Sequence, residues 1–291
     1  MPSNSTPNQV ARRKVTARVG RDGYDVDGNI SGGMGCVWLL SRPTEPKDPR
    51  FTKRMAVKTF RQDLDETLII NELRNWLDLR HPRILQLIGI EYLNWHLSAV
   101  MPRMDGSLYD AIAMSPFAPP AATSIVLDIL TALDFGSREH GIYHLDIKPQ
   151  NVLWINNLAN VRVTDWGISR LLTSPTFYND ARNSTQTFTQ TAGTPGYMGP
   201  ERFAPSWSIM DAADLYSLGF LASELIAGPF VSQTICDKGL NDYSYSILHD
   251  TAGRIAKVTG GRLGNFITAC IAWDPNLRPA TFKEAIHIVG R

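Results

Sequence analysis

Cysteine is scarce in this 291-residue chain, with three thiols, Cys36, Cys236 and Cys270, standing far apart. That spacing argues against a disulfide framework or a zinc cluster and favours a reducing compartment. No apolar run approaches the ~18 residues of a membrane span. The opening MPSNSTPNQV lacks the apolar stretch of a signal peptide. Neither sign of charge is in excess: 29 basic residues face 28 acidic ones, for a net charge of +1. Nothing therefore pulls the chain as a whole toward nucleic acid or an anionic membrane. Together these absences lead to the expectation of a cytoplasmic protein without nucleic-acid or membrane partners, a nuclear location staying open.

What is present is a large apolar fraction, 43%, enough for a sizeable core in one large domain or two closely packed lobes. Residues 1–20 are polar, with Arg12, Arg13, Lys14 and Arg18 clustered, and read as a flexible basic tail. From Tyr24 to Met101 the pattern is mostly strand-like with one helix, predicted over Asp63 to Arg80 with Ile69, Leu73, Trp76 and Leu77 on one face. From Ser107 onward it is mostly helical. Helices are predicted over Ser124 to Gly136, after a Pro119-Pro120 break, and over Ala212 to Ile226, apolar nearly all round. Two shorter ones are predicted around Phe266–Trp273 and Phe282–Val289. Leu171 to Gln190 has no sustained period and reads as a long loop. The expected class is α+β in two lobes, a small β-rich lobe of about residues 21–104 and a larger helical lobe of about 105–291.

Several short constellations carry chemistry. Ser31-Gly32-Gly33-Met34-Gly35-Cys36-Val37 lies between strand-like runs, where glycines let a backbone approach phosphate oxygens. On its own such a hairpin is as readily just a turn. In Met55-Ala56-Val57-Lys58-Thr59 a lysine ends an apolar strand; it either reaches water at an edge or needs a partner. Glu72 shares the inward helix face of Ile69 and Trp76 and is the natural partner, in a pair that would hold Lys58 toward α- and β-phosphates.

The segment His144-Leu145-Asp146-Ile147-Lys148-Pro149-Gln150-Asn151 places a carboxylate, a lysine and an amide within one short loop. For phosphoryl transfer, Asp146 would orient the attacking hydroxyl and accept its proton. Lys148 would balance charge on the γ-phosphoryl, and Asn151 would ligate a magnesium ion. Asp165-Trp166-Gly167 follows the apolar alternation of Val161 and Val163, with Asp165 placed to bind metal. Each piece alone could be a polar loop; their order and spacing together argue against that.

Read jointly, roughly Tyr24 to Val289 resembles the eukaryotic-type protein kinase superfamily, of the serine/threonine type. The resemblance implies a bilobal protein kinase fold, ATP with Mg2+ (or Mn2+) as cofactors, and a protein substrate bearing a Ser or Thr acceptor. It makes Lys58 the strand lysine, Glu72 the helix glutamate, Asp146 the catalytic aspartate, and Asn151 and Asp165 the metal ligands. Gly193-Thr194-Pro195-Gly196-Tyr197-Met198-Gly199-Pro200-Glu201 resembles the peptide-positioning loop, opened by Thr194, which the resemblance places among the catalytic residues with Asp146 and Lys148. Asp214 is similar to the buried aspartate bracing the catalytic loop, and Arg278 to the arginine pairing with Glu201. Ile30, Gly32, Gly33, Gly35, Val37 and Ala56 would stand around the nucleotide. Met101 would be the gatekeeper, and Pro102 and Met104 the hinge positions that offer a carbonyl and an N–H to adenine.

The match departs in three places. Ile30 replaces the first loop glycine, which implies weaker nucleotide affinity, and Trp166 replaces the usual Phe. Leu145 replaces the arginine before the catalytic aspartate, which implies less dependence on a phosphorylated activation segment. Even so, Arg170 and Ser184, Thr185, Thr187, Thr189 and Thr191 leave autophosphorylation open as an expectation. Cys36 reads as a small solvent-facing residue rather than a redox handle, and His81 as structural. Two other functions compete with an active protein kinase. A pseudokinase scaffold would lack Lys58, Asp146 or Asp165, and a small-molecule phosphotransferase would lack the Gly193–Glu201 platform.

Overall fold

The computed structural model describes residues 23–32, 35–44, 52–61, 66–93, 96–166, 193–203, 210–239 and 241–290. The expected tail 1–20 and the expected loop 171–190, with its serines and threonines, lie outside the described residues, as do Gly33, Gly167 and Arg170. The chain divides into two compact units. The first runs up to Arg80 and resumes over Leu85–Met104; the second is His81–Ile84 together with Asp105–Arg291.

Among the described residues, the first unit is an antiparallel sheet with one helix. Its strands are β1 (Asp25–Gly32), β2 (Gly35–Ser41), β3 (Arg54–Phe60), β4 (Gly89–Leu93) and β5 (His96–Pro102), in spatial order β1-β2-β3-β5-β4. Alternate residues face the core, as a half-buried strand requires: Trp38 and Leu40 from β2 meet Met55 and Val57 from β3, joined by Tyr24, Leu93 and Val100. The Trp38 indole N–H finds the Thr59 hydroxyl at 3.1 Å, so the ring is buried without an orphaned donor. Helix α1 is Glu66–Asp78, shorter than the predicted Asp63–Arg80 at its C-terminal end. Ile69, Leu73 and Trp76 are buried as the periodicity predicts, and the Trp76 indole donates to the Leu85 carbonyl at 2.6 Å.

The second unit opens with β6 (Gly106–Ser107) and α2 (Leu108–Met114), which starts on a capping box made by Ser107 and Asp110. Helix α3 spans Pro119–His140. The Pro119-Pro120 pair, expected as a break before the helix, is its first turn, where a proline has no intrahelical N–H bond to lose. The helix ends at Gly141, whose left-handed φ of 62° suits glycine. Strands β7 (Val152–Ile155) and β8 (Asn157–Val163) flank the candidate chemistry and form a sheet in the order β6-β7-β8.

The remaining helices are α4 (Met210–Ala227), α5 (Val231–Lys238), α6 (Asp242–Thr259), α7 (Gly261–Cys270) and α8 (Phe282–Gly290). In α4, Leu215, Tyr216, Leu218, Phe220, Leu221 and Leu225 are all fully buried, as its all-round apolar sequence predicts. Full burial of such side chains is worth about 1.5–3 kcal/mol each. The predicted helix around Phe266–Trp273 begins and ends earlier: α7 stops at Cys270, and Trp273 lies beyond it, exposed. His81–Ile84 belongs to this unit through specific contacts. His81 stacks on Phe135 with centroids 5.1 Å apart, Arg83 pairs with Asp128 at 2.9 Å, and Ile84 bridges to Val163.

Candidate active site

The second unit carries the residues expected to form the catalytic loop, and burial explains their conformation. His144 is enclosed, and desolvation holds its pKa below the ordinary histidine value. Its Nε2 lies 2.8 Å from the Thr164 carbonyl, and its Nδ1 accepts the Asp146 N–H at 3.2 Å. Those two bonds require the neutral tautomer with the proton on Nε2. The Asp214 carboxylate, wholly buried on α4, accepts the N–H of His144 at 2.7 Å and of Leu145 at 2.6 Å. Its pKa is pushed up to about 7 by burial, with those two N–H groups and Arg202 pulling it back. Leu145 itself is buried and sits at φ 61°, a left-handed conformation uncommon outside glycine.

Three side chains converge on the Asp146 carboxylate. Thr194 Oγ1 donates to Oδ1 at 2.7 Å, Lys148 Nζ stands 2.8 Å from Oδ2, and Asn151 Nδ2 donates to Oδ2 at 3.0 Å and to the Asp146 carbonyl at 2.9 Å. Lys148 also donates to the Thr194 hydroxyl, which closes a triangle from residues up to 48 apart in sequence. Because Asn151 turns its amide nitrogen to Asp146, its carbonyl oxygen faces the other way. The Asn151 main-chain carbonyl accepts the Thr164 N–H at 2.9 Å, tying this loop to the residue before Asp165. Asp165 adopts φ 62°, left-handed like Leu145. Trp166 fills a buried pocket: its indole N–H donates to the Val163 carbonyl at 3.2 Å and its ring meets His144 edge-on.

Asn151 and Asp165 are the residues expected to hold a metal, and an amide oxygen and a carboxylate are donor types that suit a hard divalent cation. Among the described residues no group of three or more His, Cys, Asp or Glu side chains gathers as a dedicated cage.

Behind this loop, Glu201 and Arg278 form a buried bidentate pair, Nη1 to Oε1 at 2.7 Å and Nη2 to Oε2 at 2.8 Å. The pair predicted from sequence is present. Arg278 also stacks over the Tyr216 ring, 4.6 Å from its centroid. Three features escaped the sequence reading. Arg202 is buried against the Leu145 carbonyl. Glu224 accepts from the Tyr197 hydroxyl at 2.7 Å and from the N–H groups of Phe230 and Val231. Gly136 lies where an added Cβ would stand 2.7 Å from the Trp166 ring. None of them was carried by the motifs read from the sequence, and each has a partner well away in sequence, 57 positions for Arg202, 27 for Glu224 with Tyr197 and 30 for Gly136 with Trp166.

The first unit carries the residues expected to meet the nucleotide. Lys58, on β3 between Val37 and Ala99, is only 6% exposed, its ammonium 5.2 Å from the Phe60 ring centroid. The edge-lysine alternative is thereby excluded, since β3 is paired on both sides at Lys58 and the residue as a whole is buried. The side chain of Glu72 lies outside the described residues, although its backbone is on α1 as expected. Ala56 pairs with Met101 and with Leu39 across the sheet, and Met101 is buried. Pro102 ends β5 opposite Met55; the Arg103 N–H is used by the Arg54 carbonyl at 3.1 Å, and Met104 follows, buried.

The glycine hairpin modifies two expectations. Gly35 is required by its own sheet, because a Cβ there would stand 2.0 Å from the Thr59 carbonyl, whereas Gly32 has open space around it. Ile30 pairs with Val37 and is 60% exposed, so it is accommodated without burial. Cys36 does not face solvent as expected. It is half-buried against the first unit's core, and burial raises its thiol pKa, which disfavours the reactive thiolate. His81 is structural, as read: its Nδ1 accepts the Arg83 N–H at 3.2 Å.

Comparison with known proteins agrees with this geometry. Residues 31–288 match the protein kinase domain family. The serine/threonine-protein kinase PknB of Mycolicibacterium smegmatis is 34% identical over 216 residues, covering 70% of this chain and 32% of that protein. Mitogen-activated protein kinase kinase 5 of Leishmania mexicana is 27% identical over 75% of this chain and 41% of its own length. The chain thus spans about a third of the length of the first of these relatives. The crystal structure of the Mycobacterium tuberculosis PknI kinase domain superposes with a TM-score of 0.60 at 22% identity, covering 92% of this chain and 95% of that one. It shares the fold. The family implies the use of ATP, a divalent metal and a protein substrate. With its β-rich first unit, its helical second unit and a match over nearly its whole length, this chain belongs to the protein kinase domain family.

Proposed function

We propose that the chain is an ATP-dependent protein serine/threonine kinase that transfers the γ-phosphoryl of Mg-ATP to Ser or Thr hydroxyls. The observation that carries this is the triangle of Asp146, Lys148 and Thr194 around one carboxylate. Asp146 is the hydrogen-bond acceptor that aligns the substrate hydroxyl and takes its proton. Lys148 and Thr194 hold the carboxylate in one rotamer, and the lysine places positive charge where the transferred group becomes more negative. Asn151 and Asp165 would hold the metal, which when bound supplies charge neutralisation to the phosphate oxygens. Lys58, with Glu72 as its partner, would meet the α- and β-phosphates. Ile30, Gly32, Gly33, Gly35, Val37, Ala56 and Met101 would surround the nucleotide, with the Pro102 carbonyl and the Met104 N–H meeting adenine.

Serine and threonine are favoured as acceptors by Lys148, two residues after the catalytic aspartate, and by Thr194 at the start of the peptide-positioning loop. The similarity to relatives named serine/threonine-protein kinases supports the same choice. The test is transfer of radiolabelled phosphate from ATP to a generic basic protein and to the chain itself, followed by phosphoamino-acid analysis. Wild type is expected to label Ser or Thr, and Asp146→Asn to fall by ~10²-fold or more. Equal labelling by the two proteins would overturn the assignment.

A further inference from the structure

Glu201 and Arg202 are neighbours with separate tasks. Glu201 is engaged by Arg278, yet Arg202, next in the short turn Pro200–Phe203, is itself buried, 3% exposed. Burying a guanidinium is costly unless a specific geometry compensates. Here Nη1 donates to the Leu145 carbonyl at 2.5 Å. The negative groups nearest in effect are Asp214, then Asp146 and Glu201, and they oppose the lowering of its pKa by burial. Gly193 leaves room for the contact: a Cβ there would stand 3.0 Å from Arg202 Nη1 and 3.1 Å from the Leu145 oxygen.

The position of that carbonyl gives the contact meaning. The Leu145 oxygen and the Asp146 N–H belong to one planar peptide unit, so fixing one end fixes the other. The nitrogen end donates to His144 Nδ1, and the oxygen end accepts from Arg202. Leu145 is held at φ 61°, a conformation unfavourable for a non-glycine residue that persists only where its surroundings enforce it. Asp214 enforces it from the N–H side, and Arg202 is the group on the carbonyl side. The aliphatic side chain of Leu145 has no donor with which to brace the loop itself.

We propose that Arg202 is a positioning residue for Asp146: through the Leu145 carbonyl its guanidinium holds the peptide plane that aims the catalytic carboxylate at Thr194, Lys148 and the substrate hydroxyl. This rests on the kinase reading above. If the plane rotates, the Asp146 carboxylate leaves its partners, and misplacement of a reacting group by about 1 Å costs roughly 10²-fold in rate.

The test is single-turnover phosphoryl transfer by the full chain at saturating Mg-ATP, for wild type, Arg202→Met, Arg202→Lys and Asp146→Asn. The rate constant reports alignment, while the amplitude reports the fraction of folded, competent molecules. Arg202→Met is expected to lower the rate constant by about 10- to 100-fold with the KM for ATP within threefold of wild type. Arg202→Lys, which keeps the charge on a shorter, non-planar head, is expected to fall between them, at least about threefold down. An Arg202→Met protein that loses amplitude but keeps the wild-type rate constant would show a merely structural role and overturn the proposal. Where Arg202→Met does not fold, Arg202→Lys decides alone, an unchanged rate constant being the refutation. Asp146→Asn separates the two readings. If it transfers at the wild-type rate, the kinase assignment falls. If it is inactive while Arg202→Met is unimpaired, only the role of Arg202 falls.

Discussion

Replacing Arg278 by Met tests the energetic centre of the second unit. The guanidinium makes two bonds to Glu201, at 2.7 and 2.8 Å, and three more to main-chain carbonyls: Nε to Ala272 at 2.7 Å, Nη1 to Ala212 at 2.9 Å and Nη2 to Trp273 at 3.2 Å. It is almost fully buried and lies over the Tyr216 ring. Met fills much of the volume but strands the Glu201 carboxylate, and removing one member of a buried pair costs about 3–5 kcal/mol. The three carbonyls lose a donor as well, each adding up to about 1 kcal/mol once water and neighbours compensate in part. The expected loss is about 5 kcal/mol, large against a total stability of about 5–15 kcal/mol. For a chain of this size that lowers Tm by about 10–20 °C.

Glu201→Gln should cost less, about 2–3 kcal/mol, because the guanidinium keeps its three carbonyls. The double variant Glu201→Gln with Arg278→Met removes both charges. It is expected to be more stable than the sum of the single losses predicts, by about 2 kcal/mol. Urea unfolding followed by circular dichroism measures all three. An Arg278→Met protein within 1 kcal/mol of wild type, or a strictly additive double variant, would refute the reasoning.

Two further perturbations follow from buried contacts. Gly136→Ala places a methyl against the Trp166 ring and the Ile142 carbonyl, at 2.7 and 3.0 Å for the ideal Cβ. It should cost about 1–3 kcal/mol in melting experiments, and adding Trp166→Phe should recover part of the loss by vacating the slot. Burial pushes the Glu224 pKa up to about 7, against the pull of Tyr197 and the Val231 and Phe230 N–H groups. A carboxyl whose folded pKa is raised stabilises the fold when protonated, fully so below its unfolded value near 4.5, and that contribution is lost as pH rises through 7. Wild type should therefore gain on Glu224→Gln between pH 8 and pH 5, by about 2–3 kcal/mol; a gap that does not change with pH would show that Glu224 does not take up a proton in that window.

Much of the candidate site's arrangement was legible because its parts are contiguous. Asp146, Lys148 and Asn151 lie within six positions, and a loop that short confines them to one locality before any tertiary packing forms. The helix predicted over the residues that became α1 was legible for a similar reason, since Ile69, Leu73 and Trp76 repeat at helical spacing and are buried in the structure. The prolines at 119 and 120 misled only about position: the rule that proline ends helices yields to the rule that it begins them when its missing N–H falls in the first turn. Helix α5 buries one side chain, Val231, too few for a periodic signal; α6 buries Tyr245, Leu248, Ala252 and Ala256 at helical spacing, but with a single large aliphatic side chain among them, and it is started by a local cap, with Asn241 accepting the Ser244 N–H.

The sequence by itself determined the fold class, the family resemblance and the chemical kinds gathered in the catalytic loop, because periodicity and short-range spacing are properties of consecutive residues. Only the tertiary structure decided which glycine answers to what. Gly35 serves the close approach of β2 to β3, and Gly136 makes space for an indole 30 positions away. It also decided that Lys58 is buried and that Cys36 packs inward. The role given to Arg202 belongs there too: in sequence it is one more charged residue in a turn, and its contact with Leu145 joins positions 57 apart. Such contacts depend on where folding brings distant backbone atoms, and no local pattern of side chains encodes that distance.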